Sequence, residues 1–275
     1  MSKFKIIFTL VIIVLIVVWL SLPGYLKKAL VYQKPDIDDY TLFENRVIET
    51  DQYQPWKLSK RYNQPKIDSL TRLQFENYKT TSFVVIQNDS LLYEEYWDGY
   101  SDTSLSNSFS MAKSIVSLLA CIAIDEGKID SACQYVSDFL PEYKNGLKAQ
   151  VRIVDLLTMS SGLDWDEAYS SATSITTKSY YGEELKQLVL NQDVVIKPGK
   201  LHPYQSGTTQ LLALVVEKAT GKTVREYASE KIWKKIGARV PALWSLDHHG
   251  GLEKTYCSFN STAPEIARIG QLILH

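Results

Sequence analysis

The sequence predicts an α+β domain behind an N-terminal apolar helix, and three features lead there. Residues Ile6 to Leu22 form an apolar run interrupted only by Thr9 and Ser21. Thr81 to Gln87 and Leu91 to Tyr100 read as two strands of a hairpin, joined by the turn residues Asn88-Asp89-Ser90. After the hairpin, the periodic stretches are helical. Two early strands are too few to cover that much helix, and the chain stops at His275 within a helical pattern, so the sheet is expected to be incomplete.

The apolar run, as a helix rising about 1.5 Å per residue, reaches roughly 25 Å, near the lower limit for crossing a bilayer. Trp19 and Tyr25 suit the interface, and Pro23-Gly24 ends the helix. A cleaved signal peptide is the rival reading, with Lys3 and Lys5 as its basic flank. The lack of a small-x-small cleavage site or a lipobox-like cysteine favours an uncleaved anchor. Lys3 and Lys5 on one side balance Lys27 and Lys28 on the other, and the terminal amine tips the N-terminus towards the cytoplasm. The globular part is then expected outside the cytoplasm, on the periplasmic or extracellular face.

With 275 residues, 45% of them hydrophobic, the chain can build a full core. Thirty Lys and Arg against 31 Asp and Glu leave no basic excess for a nucleic-acid backbone, so nucleic acid is not expected as a partner. Cys121, Cys133 and Cys257 are too scattered for a disulfide scaffold or a zinc site and read as small buried side chains, with a Cys121–Cys133 bridge left open.

Residues 26–77 are polar and aperiodic and read as a tether and lead-in. Met111, Ile115, Leu118, Leu119 and Ile122 recur at helical spacing, with Gly127 as the stop. Further helices are expected over 151–159, 183–191, 208–218 (closed by Gly221) and 224–233, and Thr262-Ala-Pro-Glu265 has the letters of a capping box opening the last. The organisation expected is an anchor over 1–25, a lead-in over 26–77 and a globular domain over 78–275.

Chemistry enters at Ser110. A serine is a poor nucleophile until a base takes its proton, and Lys113, three residues on, shares its helix face. A lysine acts as base only when uncharged, and partial burial beside an apolar helix favours that form. The competing reading is a helix cap followed by a snorkelling lysine. Ser-x-x-Lys recurs at Ser2–Lys5, on the membrane flank, but only the copy at Ser110 follows a hairpin and opens an apolar helix.

The runs FSMAKSIVSLLACIAIDEGKI, VRIVDLLTMSSGLDWDE and KPGKLHPYQSGTTQLLALVVEKATGK together resemble the serine β-lactamase-related hydrolases. That group holds class C β-lactamases, D-alanyl-D-alanine carboxypeptidases, esterases and 6-aminohexanoate-dimer hydrolases. WSLDHHGGLEKTYCSFNSTAPEIARIG is most similar to the aminohexanoate branch. The resemblance covers roughly residues 78–275 and implies an antiparallel sheet flanked by helices plus a helical subdomain, with the site between them. It implies Ser110 as nucleophile, Lys113 as its general base and Tyr204 as a proton relay to the leaving group. Ser206 would bind substrate or Lys113, and Tyr169 would contact substrate. No metal or cofactor is implied.

The family's third motif, Lys or His-x-Gly on a pocket strand, has no convincing counterpart. His248-His249-Gly250 has the letters, but its surroundings read as a turn. The missing strands and final helix would lie beyond His275, so a C-terminally truncated member is expected. None of the four histidines completes a triad. Two functions stay open: a membrane-anchored serine hydrolase acting on a small-molecule or peptide-like amide or ester, and a non-catalytic truncated relative that binds a ligand or partner or is inactive.

Overall fold

The apolar run forms one solvent-exposed helix, α1 (Lys3–Ser21), in the computed structural model, which describes residues 3–274. Ser2 and His275, both weighed above, lie outside the described residues. Pro23 cannot donate to the preceding turn, so the chain breaks and restarts as α2 (Gly24–Tyr32). Strand β1 (Asn45–Ile48) follows, then β2 (Lys57–Leu58) and α3 (Ser69–Asn77). The stretch 26–77, read as a tether, therefore carries two helices and two strands, and β1 is an edge strand of the larger sheet.

The hairpin is β3 (Ser82–Gln87) and β4 (Ser90–Tyr96). Asn88 and Asp89 both take positive φ, 48° and 56°, which matches a two-residue turn to the strand twist. Next come β5 (Ser106–Asn107), α4 (Ala112–Asp125), α5 (Ile153–Leu157), α6 (Ile175–Tyr181), α7 (Leu185–Leu190), α8 (Ser206–Thr220) and α9 (Val224–Ala228). Strands β6 (Ala242–Ser245) and β7 (Phe259–Ser261) and helix α10 (Ala263–Leu274) complete the described chain.

One sheet runs β1-β6-β7-β5, all antiparallel, and a second runs β2-β4-β3, with β2 parallel to β4. The core lies where α4 packs on α8. Helix α4 buries Ile115, Val116, Leu119 and Ala123 on one face. In α8 every residue from Ser206 to Val216 is buried, the pattern of a central rather than a surface helix. Gly221 ends it at φ 68°, as expected.

Three readings are corrected. Thr262 does not form a capping box: Glu265 accepts from Arg239 N at 2.9 Å and from Arg268 Nε at 2.7 Å, so its carboxylate is committed elsewhere. Cys121 and Cys133 are free and exposed rather than buried; only Cys257 is buried. Strands β6 and β7 and helix α6 had no counterpart in the sequence reading, because strands of three or four residues buried on both faces show no alternation.

Lys254, between β6 and β7, has no solvent exposure, and its Nζ has no hydrogen-bond partner. The amine lies 3.1 Å from the Phe43 ring centroid and 5.4 Å from that of Tyr180. Burial lowers its pKa from 10.5 to about 7. The unfolded chain then binds more protons than the folded one between those values, so this group's contribution to stability rises with pH from about 7 to about 10.5 and is absent below. Lys254→Met should raise the melting temperature at pH 7 by at least about 3 °C, and the gain should shrink towards pH 10. A melt that is unchanged or lower at pH 7 would contradict this account of the amine.

Candidate active site

Ser110 stands where a strand hands over to a helix. The Ser108 N–H extends the β5–β7 pairing by donating to Phe259 O at 2.8 Å. Asn107 Oδ1 then accepts from the Phe109 N–H at 2.9 Å, and Phe109 takes a left-handed φ of 45°, a costly conformation for a residue with a Cβ. One 3-10 turn, Phe109–Met111, leads into α4. Ser110 is thereby exposed, while Lys113, one turn deeper, is 6% exposed.

Lys113 Nζ is hydrogen-bonded to Ser110 Oγ at 3.1 Å and donates to Tyr256 O at 2.8 Å. The Tyr204 and Tyr256 rings lie 4.9 and 5.7 Å from the same nitrogen. The amine is thus held by one hydroxyl, one carbonyl and two aromatic faces.

The start of α8 supplies a second wall. The Ser206 N–H donates to Glu167 Oε2 at 2.7 Å and its hydroxyl to Oε1 at 2.5 Å, while the Tyr169 hydroxyl donates to the same Oε1 at 2.7 Å. An anion there is favoured by the helix N-terminus. Gln205 Nε2 donates to the carbonyls of Leu163 and Trp165, fixing the loop that carries Glu167. Gly207 permits the approach, since a Cβ there would lie 2.3 Å from the Trp165 ring.

Ser110, Lys113, Tyr169 and Ser206 line one cavity of about 580 Å³, and the Tyr204 ring reaches the amine beside it. The Ser206 hydroxyl, expected on substrate or Lys113, is engaged by Glu167 instead. Tyr169 is 68% exposed, and partial burial together with Glu167 raises its pKa. His248 and Gly250 line a different depression with Arg46 and Glu217, and His248 leans on Asp247 at 3.0 Å.

Two residues were missed. Glu167 was visible within Trp165-Asp166-Glu167 but had no role; the available signal was that the first turn of α8 carries no acid of its own. Tyr256 acts through its carbonyl, for which a sequence has no letter. Its phenol accepts from Ser179 Oγ at 2.9 Å, and burial pushes its pKa well above the ordinary value. Burial likewise pushes up the thiol of neighbouring Cys257, so this wall is uncharged near neutral pH.

Residues 72–251 match the family model described as Beta-lactamase. The chain belongs to the beta-lactamase family. Among its relatives in that family, the 6-aminohexanoate-dimer hydrolase of Paenarthrobacter ureafaciens is 27% identical over 227 residues, 76% of this chain and 57% of the relative. A solved structure from Bacillus anthracis, provisionally named a 6-aminohexanoate-dimer hydrolase, superposes with a TM-score of 0.70 at 22% identity, covering 86% of this chain and 68% of its own. A class C beta-lactamase gives 0.56 at 18% identity, covering 74% and 62%. The two structural likenesses establish the beta-lactamase fold: an antiparallel sheet flanked by helices.

The contact between Glu167 and Ser206 is directly measurable. Glu167→Ala leaves the Ser206 hydroxyl and amide buried without their acceptor and should cost about 1–3 kcal/mol in urea unfolding. A double-mutant cycle with Ser206→Ala should return a coupling of at least about 0.5 kcal/mol, whereas strict additivity would mean that the contact contributes nothing.

Proposed function

We propose that this chain is a membrane-anchored serine hydrolase that cleaves a small amide or ester through an acyl-enzyme on Ser110. The observation that carries the reading is the 3.1 Å contact between Lys113 Nζ and Ser110 Oγ at the edge of a cavity. In its neutral form Lys113 accepts the hydroxyl proton as Ser110 Oγ bonds to the substrate acyl carbon. The scissile C–N or C–O bond then breaks, and the leaving group takes a proton relayed from Lys113 by Tyr204. Water attacks the acyl carbon next, its proton passes to Lys113, and the Ser110 oxygen leaves reprotonated. The name of the Paenarthrobacter relative points to a small amide substrate.

Among the described residues, α1 is the one helix long and apolar enough to cross a membrane. With α1 as anchor, the catalytic body lies outside the cytoplasm. The roles of Tyr204, Ser206 and Tyr169 belong to this proposal, and Glu167 joins them as the group that orients Ser206 and Tyr169.

A second reading, a ligand-binding relative without turnover, is favoured by one observation: the His248–Gly250 motif lies outside the Ser110 cavity. Labelling by a fluorophosphonate probe separates the two. The wild type should label, Ser110→Ala should not, and Lys113→Met should label at least about 100-fold more slowly. Equal labelling of wild type and Ser110→Ala would end the hydrolase reading.

A further inference from the structure

The wall of the Ser110 cavity opposite the catalytic helix comes from the segment immediately after α1. Ala29, Gln33, Lys34 and Pro35 line the same cavity as Ser110 and Lys113. Ala29 stands eight positions after Ser21, the last residue of α1, and five of those steps are helical, so at most roughly 18 Å of chain separates that wall from the end of the apolar span.

Helix α2 is fastened at both ends. Lys27 Nζ donates to Leu20 O at 3.1 Å, closing onto the end of α1. On the catalytic side, Lys28 pairs with Glu183 at 3.0 Å, and the Tyr32 ring stacks on Tyr181, itself a cavity residue, at 6.2 Å. The outer face of α2 leaves Leu30 and Val31 about half exposed. Exposed leucine and valine beside lysines, on a helix that follows an apolar span after the break at Pro23, have the chemistry of a segment lying in the bilayer interface. The cavity itself is walled by Phe109, Ala172, Tyr180, Tyr181 and Tyr256, a predominantly apolar lining.

We propose that the Ser110 cavity takes its substrate from the membrane interface: an amphiphile whose ester or amide reaches Ser110 while its acyl or alkyl tail remains in the bilayer. The reading rests on the anchored-hydrolase proposal and narrows its substrate class. It uses the same acyl transfer, with the C–O or C–N bond broken and water as final acceptor. The short path from span to cavity wall brings the scissile group to the nucleophile without lifting the tail out of the lipid, and a water-soluble ester gains nothing from that placement.

The test uses the full chain reconstituted into phosphatidylcholine vesicles, with p-nitrophenyl palmitate supplied either in those vesicles or in separate ones, and p-nitrophenyl acetate as the soluble comparison. Palmitate turnover should be at least about tenfold faster when enzyme and ester share a vesicle, and its kcat/KM should exceed that for acetate. The double variant Leu30→Asp, Val31→Asp, both on the exposed face, should lower the palmitate-to-acetate ratio by about fivefold or more, with a cooperative melt as the check on folding. Failure of Ser110 to label with fluorophosphonate overturns the hydrolase reading and this inference with it. Release of the chain by alkaline carbonate overturns the anchor, and again this inference. A chain that labels and stays in the membrane but turns over palmitate equally in shared and separate vesicles, or prefers acetate, overturns this inference alone.

Discussion

A lysine amine kept from water between Ser110 Oγ and the Tyr256 carbonyl is the constraint around which the rest of the structure is arranged. An amine taken from solvent without acceptors costs several kcal/mol, so the carbonyl that receives it must be held in place. The fold does this with a buried polar ladder. Gln210, inside α8, accepts from the Thr255 N–H and hydroxyl at 2.9 Å and donates to Glu253 O at 3.0 Å. Trp244 on β6 donates its indole N–H to both Lys254 O and Cys257 O. The segment from Glu253 to Cys257, which presents the Tyr256 carbonyl to the amine, is thus tied to the central helix on one side and to the sheet on the other.

The same segment carries a second buried lysine, and the contrast is instructive. Lys113 has two hydrogen-bonded oxygens and a cavity beside it. Lys254, two residues before Tyr256, has no hydrogen-bond partner and an aromatic ring in contact with its nitrogen. Burial alone therefore does not make a lysine useful as a base. What distinguishes Lys113 is a hydroxyl within reach and an opening through which an acyl carbon can arrive at it.

Much of this was legible in the sequence, for identifiable reasons. The Ser110 and Lys113 pairing depends on helical spacing, and the 3-10 turn Phe109–Met111 running into α4 preserves it. The hairpin declared itself through β-branched residues and the Asn88-Asp89 turn, and α8 through its apolar length and Gly221. What stayed hidden was held by long-range contacts: β6 and β7 pair across thirteen residues of intervening loop, and β1 finds β6 nearly two hundred positions away. Glu167 is not paired with Ser206 by any local pattern, because the two lie 39 positions apart. The Glu265 error has the opposite cause: a local motif was outcompeted by Arg268, which offered the carboxylate a charge-assisted bond at 2.7 Å within the protein interior.

Residues 26–77, polar and aperiodic like a tether and lead-in, carry more structure than their composition suggests. A polar, aperiodic stretch reads as linker, yet Asp39 within it accepts from the Tyr180 hydroxyl at 2.7 Å, and Ile37 O accepts from the Asn107 N–H at 2.7 Å, three residues before Ser110. Tyr180 lines the Ser110 cavity, and Asn107 sets the turn that exposes Ser110. The lead-in therefore braces both a wall of the cavity and the approach to Ser110. A free linker would let the body rotate relative to α2, whereas bonds at Lys28, Ile37 and Asp39 leave little slack between α2 and Ser110. The position of Ser110 relative to α2 is then set by the protein's own packing, which is why the same residues can serve as attachment and as cavity wall.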